Sequence, residues 1–203
     1  MVSLYLASAS PRRHEILSQL NIPHQVLHVP SPAGEDEPIL AGEAPEHYTK
    51  RTTQEKLDRA LKWIKSQNLS EEHPVLCADT CVALDSQVLG KPQNKEDAQQ
   101  FLKRMSGRAH YVYTAQALAF RGNIYSTLST NKVFFRDLTL AEIQAYCSTD
   151  EPFGKAGGYG IQGRASYFIE RLDGRYSAVM GLDIYGLYQL FKQAGLEQLC
   201  FVP

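Results

Sequence analysis

Val75-Leu76-Cys77-Ala78-Asp79-Thr80-Cys81-Val82-Ala83-Leu84 is the stretch on which the fold turns. Bounded by Pro74 and Asp85-Ser86, it reads as a buried strand carrying one carboxylate inside an apolar run. An ionised Asp there costs several kcal/mol unless cations, a metal or hydrogen-bond donors meet it. Catalytic sites supply such partners, and so does local backbone at a strand bend. The stretch alone is compatible with both.

Upstream, Leu4-Tyr5-Leu6-Ala7 is a short apolar strand running into Ser8-Ala9-Ser10-Pro11-Arg12-Arg13. Ser10 suits an N-cap and Pro11 the first helical position, with Ile16, Leu17 and Leu20 as the buried stripe. A strand, a small-residue loop and a helix start present free amides and a favourable dipole to an anion. Arg12 and Arg13 add fork-shaped donors suited to phosphate, although two solvated arginines would give the same pattern. His24 to Val29 is a second strand, followed by an acidic loop, Gly34-Glu35-Asp36-Glu37, which is a solvated turn or a metal-positioning one. Glu43 to Ser66 is helical, with Ala60, Leu61 and Ile64 on one stripe and Lys56 reading by itself as surface charge.

Downstream, Asp85-Ser86 reverses the chain through Gln87-Val88-Leu89 into Gly90-Lys91-Pro92, where backbone and ammonium can both approach a phosphate. Asn94 caps a helix with Ala98, Phe101, Leu102 and Met105 on its core face, stopped by Gly107. His110 to Arg121 is a long strand, Gly122-Asn123 turns it into another, and Lys132 to Phe135 is a third. His110 and Thr114 share one face, as ordinary sheet positions or as pocket lining. Thr139-Leu140-Ala141-Glu142 is a capping box opening a short helix that ends near Cys147. Gly154 to Gly163 holds five glycines in ten residues, the pattern of a backbone that turns unusually or approaches a ligand. Tyr167 to Leu172 and Tyr176 to Met180 read as a hairpin around Asp173-Gly174, and Asp183 as the cap of a last helix.

The chain has 203 residues, 43% hydrophobic and 21% charged, enough for one large core or for two lobes around a cleft. A net charge of −1 offers no general attraction to nucleic acid or to an anionic membrane, so neither partner is expected. No stretch approaches the ~18 apolar residues of a membrane span, and the first residues lack a signal-peptide core, so a cytoplasmic location is expected. Cys77 and Cys81 lie roughly 13 Å apart along a strand, too far for a disulfide. With Cys147 and Cys200 they read as buried, reduced thiols, and no zinc-ligand spacing is present.

In order along the chain, these pieces resemble the Maf family of nucleoside triphosphate pyrophosphatases. The resemblance rests on Ser8-Ala9-Ser10-Pro11-Arg12-Arg13, Asp36-Glu37, Glu43 with Tyr48 and Lys56, Ala78-Asp79-Thr80 and Gly90-Lys91-Pro92. It continues through Ser106-Gly107 with His110 and Thr114, the run from Lys155 to Gly163, and Gly174, Tyr176, Val179 and Gly181-Leu182. Each motif alone is weak, and the ordered set is specific. The resemblance implies an α/β fold of the ITPase-like kind, a mixed twisted sheet flanked by helices with two lobes around a central cleft, in one domain over 1–203. It implies hydrolysis between the α- and β-phosphates, a divalent metal (Mg²⁺ or Mn²⁺) and a homodimer.

By the same resemblance Asp79 is the catalytic acid/base. Ser8, Arg12, Arg13, Lys56 and Lys91 cradle the triphosphate, and Glu37 joins Asp79 at the metal. Arg12, Thr80 and Gln162 match the branch acting on dTTP and UTP, with modified pyrimidine triphosphates as further candidates. The branch acting on 7-methyl-GTP carries Trp and Gln at the first two of these places. Other readings are the same cleavage with broad or purine specificity, and a nucleotide-binding regulator of septum formation with little turnover. Three places depart from the family pattern: Gly154 replaces an Asp before Lys-Ala-Gly, Asp183 replaces a Pro after Gly-Leu, and Arg51-Thr52-Thr53-Gln54 is more polar than usual.

Overall fold

The structure, a computed structural model, describes residues 3–32 and 37–201. The expected strand is β3 (Val75–Leu84), in which every residue but Thr80 is buried. Before it lie β1 (Leu4–Leu6) and β2 (His24–Val26), the latter shorter than its sequence pattern. After it come β4 (Gln87–Leu89), β5 (Ala109–Phe120), β6 (Asn123–Phe135) and β7 (Ile169–Asp173). They form one sheet in the order β2-β1-β3-β5-β6-β7, with β4 also on β3. β1 is parallel to β2 and β3, and the remaining pairs are antiparallel, so the sheet is mixed.

Helices cover both faces, because alternate residues of β3 point opposite ways. α1 (Pro11–Gln19) and α6 (Ile184–Ala194) bury Ile16, Leu17, Leu187 and Phe191 against Leu76 and Ala78. α2 (Pro45–Ser66) lays Leu57, Ala60 and Ile64 on the other face, over Val75 and Cys77. α3 (Lys95–Met105) and α4 (Leu140–Cys147) close a further core with Val82, Leu84, Phe135 and Phe168. Each such Leu, Ile or Phe contributes about 1.5–3 kcal/mol by leaving water. Asn94 and Thr139 cap α3 and α4 as their sequences require, the latter in a complete capping box. All four cysteines are free thiols, three of them buried and Cys200 half-buried.

Several sequence expectations need correction. β6 is a single strand, so Lys132 to Phe135 is its end and not a separate element. Its hairpin turn is Arg121-Gly122 (φ 50° and 76°), one residue earlier than the Gly122-Asn123 pattern. Left-handed values at both turn residues suit the twist of the flanking strands, as at Asp85-Ser86 (φ 52° and 62°). Tyr167-Phe168 ends a 3₁₀ turn before β7 begins. Tyr176–Met180 is not β7's partner but a short helix, α5, and β7 pairs with β6 instead. Asn131 decides this: it leaves 2.4 Å for a Cβ on Gly174 and accepts the Arg175 N–H at 2.8 Å, turning the chain off the sheet. Asp183 stands at the start of α6, but its side chain makes no cap; Oδ2 accepts from Arg175 at 2.8 Å. Among the described residues no helix is long and apolar enough to cross a membrane.

Candidate active site

β1 and β4 approach β3 along the same edge and leave a gap between them. β1 pairs at Val75 and Leu76 and β4 at Val82 to Leu84, while β5 covers the opposite edge from Val75 to Ala83. Ala78-Asp79-Thr80 therefore faces an opening in the sheet. The loops that leave β1 and β4, Ala7–Ser10 and Gly90-Lys91, both start at that opening. With the Gly-rich loop they enclose a cleft of about 770 Å³. Ser8, Arg12, Arg13, Glu37, Lys56, Asp79, Thr80, Lys91 and Gln162 all line it, so the nine residues to which the resemblance gave a role reach one cavity. Asp36 lies outside the described residues.

Asp79 is 6% exposed, and its two oxygens have different partners. Lys56 Nζ donates to Oδ1 at 2.8 Å and also to Glu37 Oε1. Thr52 Oγ1 donates to Oδ2 at 2.5 Å. Thr52 and Lys56 are one helical turn apart, so α2 presents both to the β3 face that carries Asp79. Burial pushes the Asp79 carboxyl up, but Lys56, Arg13 and the two hydrogen bonds outweigh it and hold its pKa below the ordinary value. It is a carboxylate at neutral pH, able to accept a proton.

Thr80 points to the other face, toward α1. Arg13 Nη2 donates to its hydroxyl at 3.4 Å, Nη1 to Ser8 Oγ at 2.9 Å and Nε to the Gly181 carbonyl at 2.8 Å. Arg12 Nε donates to the Met180 carbonyl at 3.3 Å. Two successive carbonyls at the end of α5 thus orient two successive guanidinium groups. The turn needs Gly181, whose φ is 121°. Burial lowers the Arg13 pKa, opposed by the Asp79 charge, yet a guanidinium keeps its proton.

The Gly-rich loop is held against the β3–β4 hairpin. Gly157 (φ 66°) donates its N–H to the Gly90 carbonyl at 3.0 Å, and a Cβ there would meet Val82 Cγ1 at 2.9 Å. Tyr159 is buried with its hydroxyl 2.7 Å from His110 Nε2. His110 and Thr114 are fully buried in the sheet, Thr114 donating to the Ala178 carbonyl, and neither lines the cleft. Lys155 does, with its pKa lowered by burial and then by repulsion from Arg12.

Sequence reasoning missed Thr52 and Lys155. The only available signal for Thr52 was its position four residues before Lys56. Thr52 and Thr53, from the run that looked too polar for α2, are buried together with Thr49; Thr49 and Thr53 donate to backbone carbonyls of the preceding turn and Thr52 to Asp79, so these three hydroxyls are satisfied as the helix packs. Tyr48 was noted but given no role; its hydroxyl donates to the Glu37 carbonyl at 3.2 Å, fixing where that carboxylate starts.

Among the described lining residues, Arg12, Arg13, Lys56, Arg59, Lys91 and Lys155 stand against two carboxylates, Glu37 and Asp79. The excess suits a polyanion. No group of three or more His, Cys, Asp or Glu converges among the described residues. Among the described residues Glu37 and Asp79 are the carboxylates on the cleft, both paired with Lys56, and such a pair suits a hard divalent cation that keeps water and takes phosphate oxygens.

The profile of the family described as Maf-like protein matches residues 3–194. The dTTP/UTP pyrophosphatase of Bordetella pertussis is 49% identical over 193 residues, which is 95% of this chain and 93% of that protein. The proteins of the same name from Nitrosomonas europaea and Neisseria gonorrhoeae are 43% and 41% identical, over 96% of this chain and 95% of each relative. A solved structure titled as that of the Staphylococcus aureus Ham1 protein covers 98% of this chain and 96% of its own at 12% identity. Its TM-score against this chain is 0.44. The family match across nearly the whole chain, with the relatives' identity over almost their full length, places the chain in the Maf family.

Proposed function

We propose that this chain hydrolyses dTTP and UTP between the α- and β-phosphates, giving the monophosphate and pyrophosphate. The observation that carries the reading is the ionised, buried Asp79 at the sheet opening, in a cleft where cations outnumber carboxylates. The names of the relatives supply the bases. Asp79 accepts the proton of the attacking water as the bond between phosphorus and the α–β bridging oxygen breaks. Arg12, Arg13, Lys91 and Ser8 bind and orient the phosphates, and Lys56 carries positive charge beside both carboxylates. Glu37 and Asp79 are the residues that would hold a divalent cation. Such an ion, Mg²⁺ or Mn²⁺, supplies charge neutralisation on the phosphates when bound. The reading includes a single functional domain over 1–203, a homodimer, and modified pyrimidine triphosphates as further substrates.

A panel of nucleoside triphosphates with Mg²⁺, scored separately for pyrophosphate and orthophosphate, tests it. Pyrophosphate from dTTP and UTP in preference to purine substrates is the expected result. Orthophosphate alone means cleavage at the γ position, equal purine rates mean a broad enzyme, and binding without release means a regulator.

Gln162 stands on the rim of the same cleft. Its carboxamide can pair with both the O4 acceptor and the N3–H donor of thymine or uracil. Gln162→Glu removes the donor, so kcat/KM for dTTP relative to CTP should fall by about tenfold. An unchanged ratio removes Gln162 from base recognition.

A further inference from the structure

Glu151 does not line the cleft, yet its contacts join the two ends of the loop that does. Its Oε2 accepts the Arg164 N–H at 3.0 Å, and its Oε1 accepts the Ala165 N–H at 3.4 Å and the Tyr146 hydroxyl at 3.3 Å. Its main-chain carbonyl accepts from Lys155 Nζ. Its own N–H is held by Thr149 Oγ1 at 3.3 Å. Between those ends lie Lys155, Ala156, Tyr159, Gly160 and Gln162, all of which face the cleft.

Gly163 supplies an independent sign of the same device. Gly154, Gly157 and Gly158 have φ of 69°, 66° and 72°, which side chains rarely adopt. Gly163 has φ −101°, where a side chain carries no such penalty. What excludes a Cβ there is the Glu151 carboxylate, 2.1 Å away at Oε1 and 2.6 Å at Cδ. A methyl at 163 would therefore evict the carboxylate from the loop amides rather than strain the backbone.

We infer that Glu151 is a positioning residue, a clamp that sets the Gly-rich loop so that Gln162 and Lys155 meet the nucleotide. Gly163 is small in order to admit the clamp. The absence of an Asp at 154 is made good from the same side, since the Glu151 carbonyl orients Lys155. The inference rests on the dTTP/UTP reading for its ligand, and on geometry alone for the clamp.

Glu151→Ala, Glu151→Gln, Gly163→Ala and the double variant Glu151→Ala/Gly163→Ala test it with three readouts. Amide hydrogen exchange at 155–165 reads the clamp without substrate. The Kd for the α,β-methylene analogue of dTTP reads binding without turnover. KM and kcat for dTTP read the reaction. Expected are faster exchange and an about tenfold rise in Kd and KM for Glu151→Ala and for Gly163→Ala, with kcat within about threefold. The double variant should be no worse than either single one, and Glu151→Gln should recover part of the loss because its amide oxygen still accepts one N–H. Faster exchange with unchanged Kd and KM, additive losses in the double variant, or unchanged exchange each overturns the inference. Wild-type protein that binds the analogue but releases no pyrophosphate sinks the hydrolase reading alone. Wild-type protein that neither binds the analogue nor turns over dTTP overturns both.

Discussion

Asp79→Asn is expected to lower kcat for pyrophosphate release by about 10³-fold while KM for dTTP stays level or falls. The amide cannot take the proton of the attacking water, so the loss belongs to the chemical step. Removing one negative charge from a cleft rich in cations strengthens anion binding, which is why KM should not rise once Mg²⁺ is kept saturating to offset the lost carboxylate. The fold should survive, because the partners of Asp79 have others. Lys56 keeps Glu37, and Arg13 keeps Ser8, Thr80 and the Gly181 carbonyl. The amide oxygen can still accept from Thr52, but its NH₂ meets the Lys56 ammonium donor to donor, at a cost of about 1–3 kcal/mol. Thermal melts beside the kinetics separate the two effects. A kcat within tenfold of wild type would place the base elsewhere.

Acid should unfold the protein through His110. The ring is fully buried, edge-on to Phe135 with centroids 4.8 Å apart, and its Nε2 is 2.7 Å from the Tyr159 hydroxyl. Its Nδ1 has no partner among the described residues. Burial drops its pKa from 6.5 to about 3. Between those values the unfolded chain binds a proton at this ring that the folded chain refuses, so stability falls as pH falls. The contribution is intact above pH 6.5, is lost progressively toward pH 3, and amounts to roughly 4–5 kcal/mol. His110→Gln keeps a hydrogen-bonding group for Tyr159 and does not titrate. Urea unfolding at pH steps from 7 to 3.5 should show the variant weaker at neutral pH, through lost ring packing, but with a shallower decline. Parallel declines would assign the acid sensitivity to other groups.

His110 also illustrates what a local pattern leaves open about a site. Spacing put it on one strand face with Thr114, which is right, but only the seat of Tyr159 and α5 on that face turns both inward, away from the cleft. The hairpin expected at Asp173-Gly174 failed because its pairing was decided from elsewhere in the chain. Tyr176 to Met180 has ordinary strand composition, and the competing partner for β7 was β6, brought there from forty residues earlier and secured by Asn131. The polar run in α2 looked like poor packing because the carboxylate that Thr52 serves lies on another element.

The mixed sheet and the meeting of the cationic loops at one place rested on the family resemblance; periodicity and cap residues alone determined the alternation of strands and helices, the burial of the Asp79 strand, and the helix starts at Asn94 and Thr139. Those are local properties: apolar alternation, caps and turn residues act within a few positions of chain. Tertiary structure alone decided that β1 and β4 share one edge of β3 and leave it open. It decided that Thr52 and Lys56 divide the two oxygens of Asp79, and that Glu151 holds the Gly-rich loop from behind. Each depends on the distance between groups far apart in the chain, which strand pairing and helix packing set and no neighbouring residue records.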